Sequence, residues 1–327
     1  KKIGFNDFSG GIAASGGTLS NLNALIAARN NAGLGTNPNS VLLVSEDAHS
    51  SFVKCIRVMG LDTRNLVRIK TDNQGRMDIN DLRNSLDKCS IENKKIFAIV
   101  ATLGTTVRGA IDPIKEISEI CKQRNIWLHI DGSIGGIFAI TSIPIEGLNN
   151  INQANSITIN PQKIIGITKT SSLLLVSNMS TLENTFNTGL PYISSKENII
   201  NRGEIGIQGS RPAEVIKLWL GLRFLGLKGI ENILKSSIKR KDFFVKNISK
   251  NKFDIYSGPL HIVSFLPKKL EPKDSDAWTQ TKVNELINNN FMLSRPKFKG
   301  KYFLRVVMGN YNTKDSHIEE LLRLLDA

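Results

Sequence analysis

One lysine, Lys163, stands in an otherwise uncharged stretch, SITINPQKIIG (156–166), just past a β-branched run broken by Pro161. Three further apolar runs end on polar groups of use in chemistry. SVLLVSEDA leads to His49, IFAIVATL leads to Gly104-Thr105-Thr106, and IWLHI leads to Asp131. Upstream, SGGTLSN (15–21) is rich in glycine and opens into helical sequence. Backbone N–H groups at such a helix start favour a phosphate. A lysine amine condenses with an aldehyde. A carboxylate keeps a pyridine nitrogen protonated, so that the ring draws in electrons. An imidazole offers a flat ring a face to stack on. Phosphate, aldehyde, pyridine and flat ring are the parts of pyridoxal 5'-phosphate.

Taken singly, each residue has a plainer role. Lys163 could snorkel at a strand end, Asp131 could form a turn or cap a helix, and His49 could be a satisfied loop histidine. Thr106 could be a β-branched residue beside a turn, and Gly17 and Thr18 could simply begin a helix. Together they form a set: several strand ends each deliver a group that one cofactor needs.

Elements that alternate must carry these residues. SNLNALIAARNNA has apolar residues at helical spacing, SVLLVSEDA reads as a buried strand, and DINDLRNSLDKC as an amphipathic helix with an Asp cap. KIFAIVATLG is a strand that stops at glycine, DPIKEISEICKQRN a helix with Pro at its first turn, and IWLHIDGS a strand. SITINPQK and SSLLLVSN are two more strands. Strands separated by helices predict an α/β fold with a mainly parallel sheet covered on both faces. In such sheets ligands bind outside the carboxyl ends of the strands, which is where these residues fall. From 180 to 212 the pattern fails, and a long irregular stretch of this kind is usually functional. Strong helical sequence follows, then strand and helix again. This predicts a large cofactor-binding domain over 1–215 and a smaller C-terminal α/β domain over 216–327.

The chain has 327 residues, 40% of them hydrophobic, and a net charge of +14. Its apolar runs are far short of a membrane span. The basic residues are scattered and densest in the C-terminal third, so a solvated basic surface is expected rather than a nucleic-acid or membrane partner. Cys55, Cys89 and Cys121 are odd in number and unpaired in spacing, which predicts reduced thiols in a cytoplasmic protein with no metal site. No secretory leader is visible, and structured-looking sequence begins almost at once.

The segments SGGTLSNLNALIAARN, EDAHSSFVKCIRVMG, ATLGTTVRGAIDPI, IWLHIDGSIGG, SITINPQK, PYI and IQGSRPAEVIKLWLGLRFLG resemble, in order and spacing, the group II pyridoxal-phosphate-dependent amino-acid decarboxylases. That family includes glutamate, aromatic amino-acid, cysteine sulfinate and diaminobutyrate decarboxylases. The resemblance runs from near residue 10 to the C-terminus. It implies a fold-type-I enzyme of the pyridoxal-phosphate transferase kind, a homodimer with shared active sites, and decarboxylation of an L-amino acid to its amine. Residue by residue it implies Lys163 as the Schiff-base lysine and Asp131 as the pyridinium partner. His49 stacks on the ring and helps orient substrate, and Gly17 and Thr18 cradle the phosphate. Thr106, Ser133, Asn160 and Gln162 hold other cofactor-contacting positions. Tyr192 matches the tyrosine that protonates the carbanion once carbon dioxide has left.

The chain departs from the family in three places. Gln162 stands where histidine is usual, so a group that titrates is replaced by one that does not. The N-terminal segment of about a hundred residues, comparable to a small domain, is not seen, so the chain is either a piece of something longer or a shortened relative. Ile134 in DGSIGG replaces a more alanine-rich and aromatic version. The absence of an aromatic after Lys163 leans toward the glutamate and diaminobutyrate branch. Two rival expectations stand beside decarboxylation: transaminase or lyase chemistry on the same cofactor, and an inactive cofactor-binding scaffold.

Overall fold

The computed structural model describes residues 2–168, 171–189 and 201–326. The apolar runs become strands and the amphipathic segments become helices. In order they are β1 (Gly10–Ala14), α1 (Gly17–Asn31), β2 (Ser40–Ser45), α2 (Ser51–Val58), β3 (Leu66–Ile69), α3 (Ile79–Ile91) and β4 (Lys95–Thr102). Then come α4 (Ile114–Arg124), β5 (Trp127–Gly132), β6 (Ser156–Ile159), β7 (Ser172–Val176), α5 (Ser180–Phe186) and α6 (Glu214–Asn247). The C-terminal part adds β8 (Phe253–Ser257), β9 (Ile262–Pro267), α7 (Ser275–Asn288), β10 (Lys297–Phe298), β11 (Lys301–Tyr302), β12 (Leu304–Val307) and α8 (Asp315–Asp326).

Seven strands form one sheet in the order β1-β7-β6-β5-β4-β2-β3. It is parallel from β6 through β5, β4 and β2 to β3. β7 runs antiparallel between β6 and β1. The short β1 was not foreseen, because its sequence, GGIAA, holds little apolar side chain. Since β1 runs in the direction of β6, it delivers the Gly16–Gly17 turn to the same sheet edge as the parallel strands. The Asp78 carboxylate accepts from the N–H groups of Asn80 (2.8 Å) and Asp81 (3.0 Å), which is the cap foreseen for α3. α5 lies inside the stretch that lacked periodicity; its seven residues are too few to show a helical repeat.

The two faces of the sheet are packed differently. On one, Leu82 and Leu86 of α3 and Ile114, Ile117 and Ile120 of α4 meet Leu128, Ile130, Ile157 and Ile159 of β5 and β6. On the other, α1 and α2 lay Leu22, Leu25, Phe52 and Ile56 against β2, β4 and Trp127. Part of this second face is polar: Ser20, Asn21 and Asn23 of α1 and Ser156 and Thr158 of β6 are buried there.

α6 is two helices joined at Gly226, whose φ of 60° departs from helical geometry. Leu218, Ile230 and Leu234 join the core of the large sheet. A separate core starts at Phe244 and gathers β8, β9, β12, α7 and α8. Its three-stranded antiparallel sheet has the order β12-β9-β8. No helix among the described residues is long and apolar enough to cross a membrane.

Candidate active site

Parallel strands end on one edge, so their exit loops share one mouth. A cavity of about 210 Å³ opens there. α1 contributes Gly17 and Thr18 at its start, and the β2–α2 loop contributes His49. Thr106 comes from the loop after β4, Asp131 and Ser133 from the end of β5, and Asn160, Gln162 and Lys163 from the exit of β6. The cofactor-contacting residues anticipated from the sequence therefore line one cavity. Tyr192 lies outside the described residues. Larger cavities of about 310, 470 and 490 Å³ contain none of these groups.

Lys163 is reachable from solvent. The protein around it still removes enough water to hold its amine below the ordinary lysine value; Asp131 pulls it up and Arg305 pushes it further down. Asp131 is buried, with Oδ1 accepting from the Ser133 N–H (3.1 Å) and Oδ2 from Asn21 Nδ2 (3.1 Å). The Ser51 N–H donates to His49 Nδ1 (3.1 Å), which places the ring's proton on Nε2. Burial lowers the basicity of His49, against the pull of Asp131, so the neutral ring is favoured. Gln162 Oε1 accepts from the Ser171 N–H, so the amide beside Lys163 ties down the turn after β6.

Sequence reasoning missed several members of the site. Asn21, Ser51 and Thr102 also line the cavity. Asn21 lies one turn into α1, and Ser51 begins α2; both looked like ordinary helix-start residues. Arg305 on β12 sits behind the cavity wall, half-buried, and donates to the Thr106 carbonyl (2.6 Å) and Ser294 Oγ (2.8 Å). It has no carboxylate partner among the described residues, and burial lowers its basicity. Nothing in the sequence linked it to Lys163, because it reaches the site only when the second sheet docks.

The donor set fits a flat, phosphorylated pyridine. Among the described residues, Ser51 Oγ and Thr102 Oγ1 are buried without a hydrogen-bond partner, which a bound polar group would satisfy. At Gly17 a Cβ would stand 2.5 Å from Asn160 Nδ2 and 2.9 Å from Ser133 Oγ. Any side chain there would fill the space at the helix start, where backbone N–H groups suit a phosphate.

Residues 2–265 match the conserved domain of the pyridoxal-dependent decarboxylases. An aromatic-L-amino-acid decarboxylase from Bacillus atrophaeus is 29% identical over 333 residues, covering 99% of this chain and 69% of that protein. An acidic amino acid decarboxylase from Xenopus tropicalis is 30% identical over 253 residues, covering 73% of this chain. The chain spans only 49% of that second relative. The crystal structure of mouse CSAD in apo form superposes with a TM-score of 0.88 at 26% identity, covering 99% of this chain and 72% of that one. Oryza sativa TDC, solved with PLP and tryptamine, gives a TM-score of 0.90 at 19% identity, covering 98% and 70%, a likeness of fold alone.

Proposed function

Because the chain belongs to the pyridoxal-dependent decarboxylase family, whose cofactor is pyridoxal 5'-phosphate, we propose that it removes the α-carboxylate of an L-amino acid as carbon dioxide and releases the amine. The observation that supports this reading most is the meeting of Lys163, Asp131, His49 and the Gly17 cradle in one cavity at the sheet's carboxyl edge. When bound, the cofactor supplies an electron sink for the pair left at Cα. Lys163, held below its ordinary basicity, offers a neutral amine as nucleophile and later as proton carrier. With the cofactor bound, Asp131 would face the pyridine nitrogen and keep it protonated, and His49 would cover one ring face and keep water from it. Thr18 and the α1 start hold the phosphate, with Thr106, Ser133, Asn160 and Gln162 completing the walls. Tyr192 returns the proton to Cα, which closes the cycle on the amine rather than on an aldehyde.

Arg305 bears on the substrate. A half-buried guanidinium without a carboxylate partner among the described residues favours an anionic guest over a cationic one. Together with Ile164 after Lys163, this ranks an acidic amino acid first and a diamino acid below it. The protein works as a homodimer with shared sites. In support, Ile216, Trp219, Leu220 and Phe224 form an exposed apolar stripe along the first half of α6. A cytoplasmic setting suits its free, buried cysteines.

The test is release of carbon dioxide across a panel of acidic, aromatic and diamino acids. Wild type should show a visible-edge absorbance band with added cofactor, and Lys163→Ala should lose both band and turnover. Tyr192→Phe should keep the band and lose amine. Accumulation of keto acids would make the protein a transaminase, and a band without turnover on any substrate would make it a scaffold.

A further inference from the structure

The polar seam between α1 and the sheet runs in one direction. Trp127, His129 and Asp131 alternate along β5 and so share the face that meets α1. Asp131 accepts only, so the Asn21 group 3.1 Å from Oδ2 is its Nδ2. Asn21 Oδ1 therefore faces His129 Nε2 at 3.1 Å, and that nitrogen must carry the proton. His129 Nδ1 is then left to accept from the Ser156 hydroxyl at 2.8 Å. Ser156 Oγ in turn accepts from Trp127 Nε1 at 2.8 Å. Each bond donates toward the carboxylate. His129, Asn21 and Ser156 are at most 1% exposed. Burial pushes the basicity of His129 down to about 4, against the pull of Asp131, so the ring stays neutral as this pattern requires.

A chain that needed only to pack α1 on the sheet would use apolar side chains, as it does beside Asn21 at Leu22 and one turn along at Leu25. A buried amide and imidazole cost free energy unless every donor and acceptor is matched. Here both amide atoms of Asn21 and both ring nitrogens of His129 have a partner, and the series ends on the carboxylate at the base of the site. We propose that Asn21 and His129 are positioning residues: they hold the Asp131 carboxylate in one orientation, so that it keeps the cofactor's pyridine nitrogen protonated. This rests on Asp131 being the pyridine partner, as proposed above.

The test uses holoprotein loaded with pyridoxal 5'-phosphate labelled with ¹⁵N in the pyridine ring. The ¹⁵N chemical shift reports protonation of that nitrogen, and the rate of cofactor release reports its hold. Asn21→Leu and His129→Asn should move the shift toward neutral pyridine and speed release by about tenfold or more, the scale of a hydrogen bond to a charged group. His129→Gln, whose amide can stand in for Nε2–H, should restore both. Melting of the cofactor-free variants shows whether they fold, and the contrast between His129→Gln and His129→Asn decides even if Asn21→Leu does not fold. Wild-type shift and release in His129→Asn would overturn the proposal, as would equal loss in both His129 variants. Asp131→Asn separates the two readings. If it leaves the pyridinium signal intact, Asp131 is not the partner and both ideas fall. If it abolishes the signal while Asn21→Leu and His129→Asn do not, only the positioning role falls.

Discussion

At Lys163 the opposing neighbours make a signed prediction. An ordinary lysine is almost wholly cationic at neutral pH, with a pKa of about 10.4. Burial and Arg305 lower that value here and Asp131 raises it, so a larger fraction of the amine is free to attack an aldehyde. The rate of cofactor uptake by apoprotein, followed by its absorbance band against pH, should therefore reach half-maximum below the ordinary lysine range. Arg305→Gln removes a lowering influence and should move that midpoint up; Asp131→Asn should move it down. Shifts in the same direction for both variants would refute this account of the amine. Burial also governs His129 and His261, both held near pKa 4 in the fold. Between pH 6.5 and 4 the unfolded chain binds protons at these positions that the native state refuses, so stability falls as pH falls through that window. The loss is on the order of 3 kcal/mol per histidine. Urea unfolding at pH 7 and 4.5 should show it, and His261→Leu should reduce the difference.

Among the elements, the loop after β4 is gripped from both sides. Arg108 Nε meets Asp47 Oδ2 at 2.8 Å, and both side chains are almost fully buried. Phe298 of β10 covers the guanidinium at 4.6 Å, Arg305 holds the Thr106 carbonyl, and the Ser264 hydroxyl donates to the Val107 carbonyl. Desolvation raises the Asp47 pKa even with Arg108 beside it, and Oδ1 is buried without a partner among the described residues. Arg108→Leu should therefore cost about 3–5 kcal/mol by stranding a buried carboxylate. The double variant Arg108→Leu/Asp47→Leu should recover most of that in a denaturation series. Equal stability of the single and double variants would count against the pairing. This grip also marks what sequence could and could not show. His49, Thr106, Asp131 and Lys163 were legible because each follows an apolar run, and parallel strands must end on one edge. Asn21 and His129 were not, because their meaning arises only when α1 crosses β5. Arg305 was not, because 142 residues of chain separate it from Lys163 and only the docking of a second sheet brings them near. β1 escaped notice because its strand character comes from pairing with β7 rather than from its own side chains.

For the molecule as a whole, the first half of α6 presents apolar side chains to solvent. Phe224 is 90% exposed and Trp219 59%, with Ile216 and Leu220 on the same helix surface. Their spacing of three and four residues is that of one helix face. The opposite face, through Leu218, is already in the core, so this one is left for another surface. A stable interface buries about 800 Å² per partner, more than one stripe supplies, so the neighbouring segments must join it. Ile207 also stands exposed, and Gln208 Nε2 reaches back to Ser15 Oγ (3.1 Å), beside the glycines at the start of α1. A second copy seated on this surface would thus press on the segment that leads into the Gly17 cradle. Phe224→Glu and Trp219→Glu should each convert dimer to monomer in sedimentation velocity without lowering monomer stability, because a charge at an exposed position costs the fold little. If the sites are shared, cofactor affinity should fall with the dimer and recover at high protein concentration. A monomer that holds cofactor as tightly as the dimer would show that each chain completes its own site.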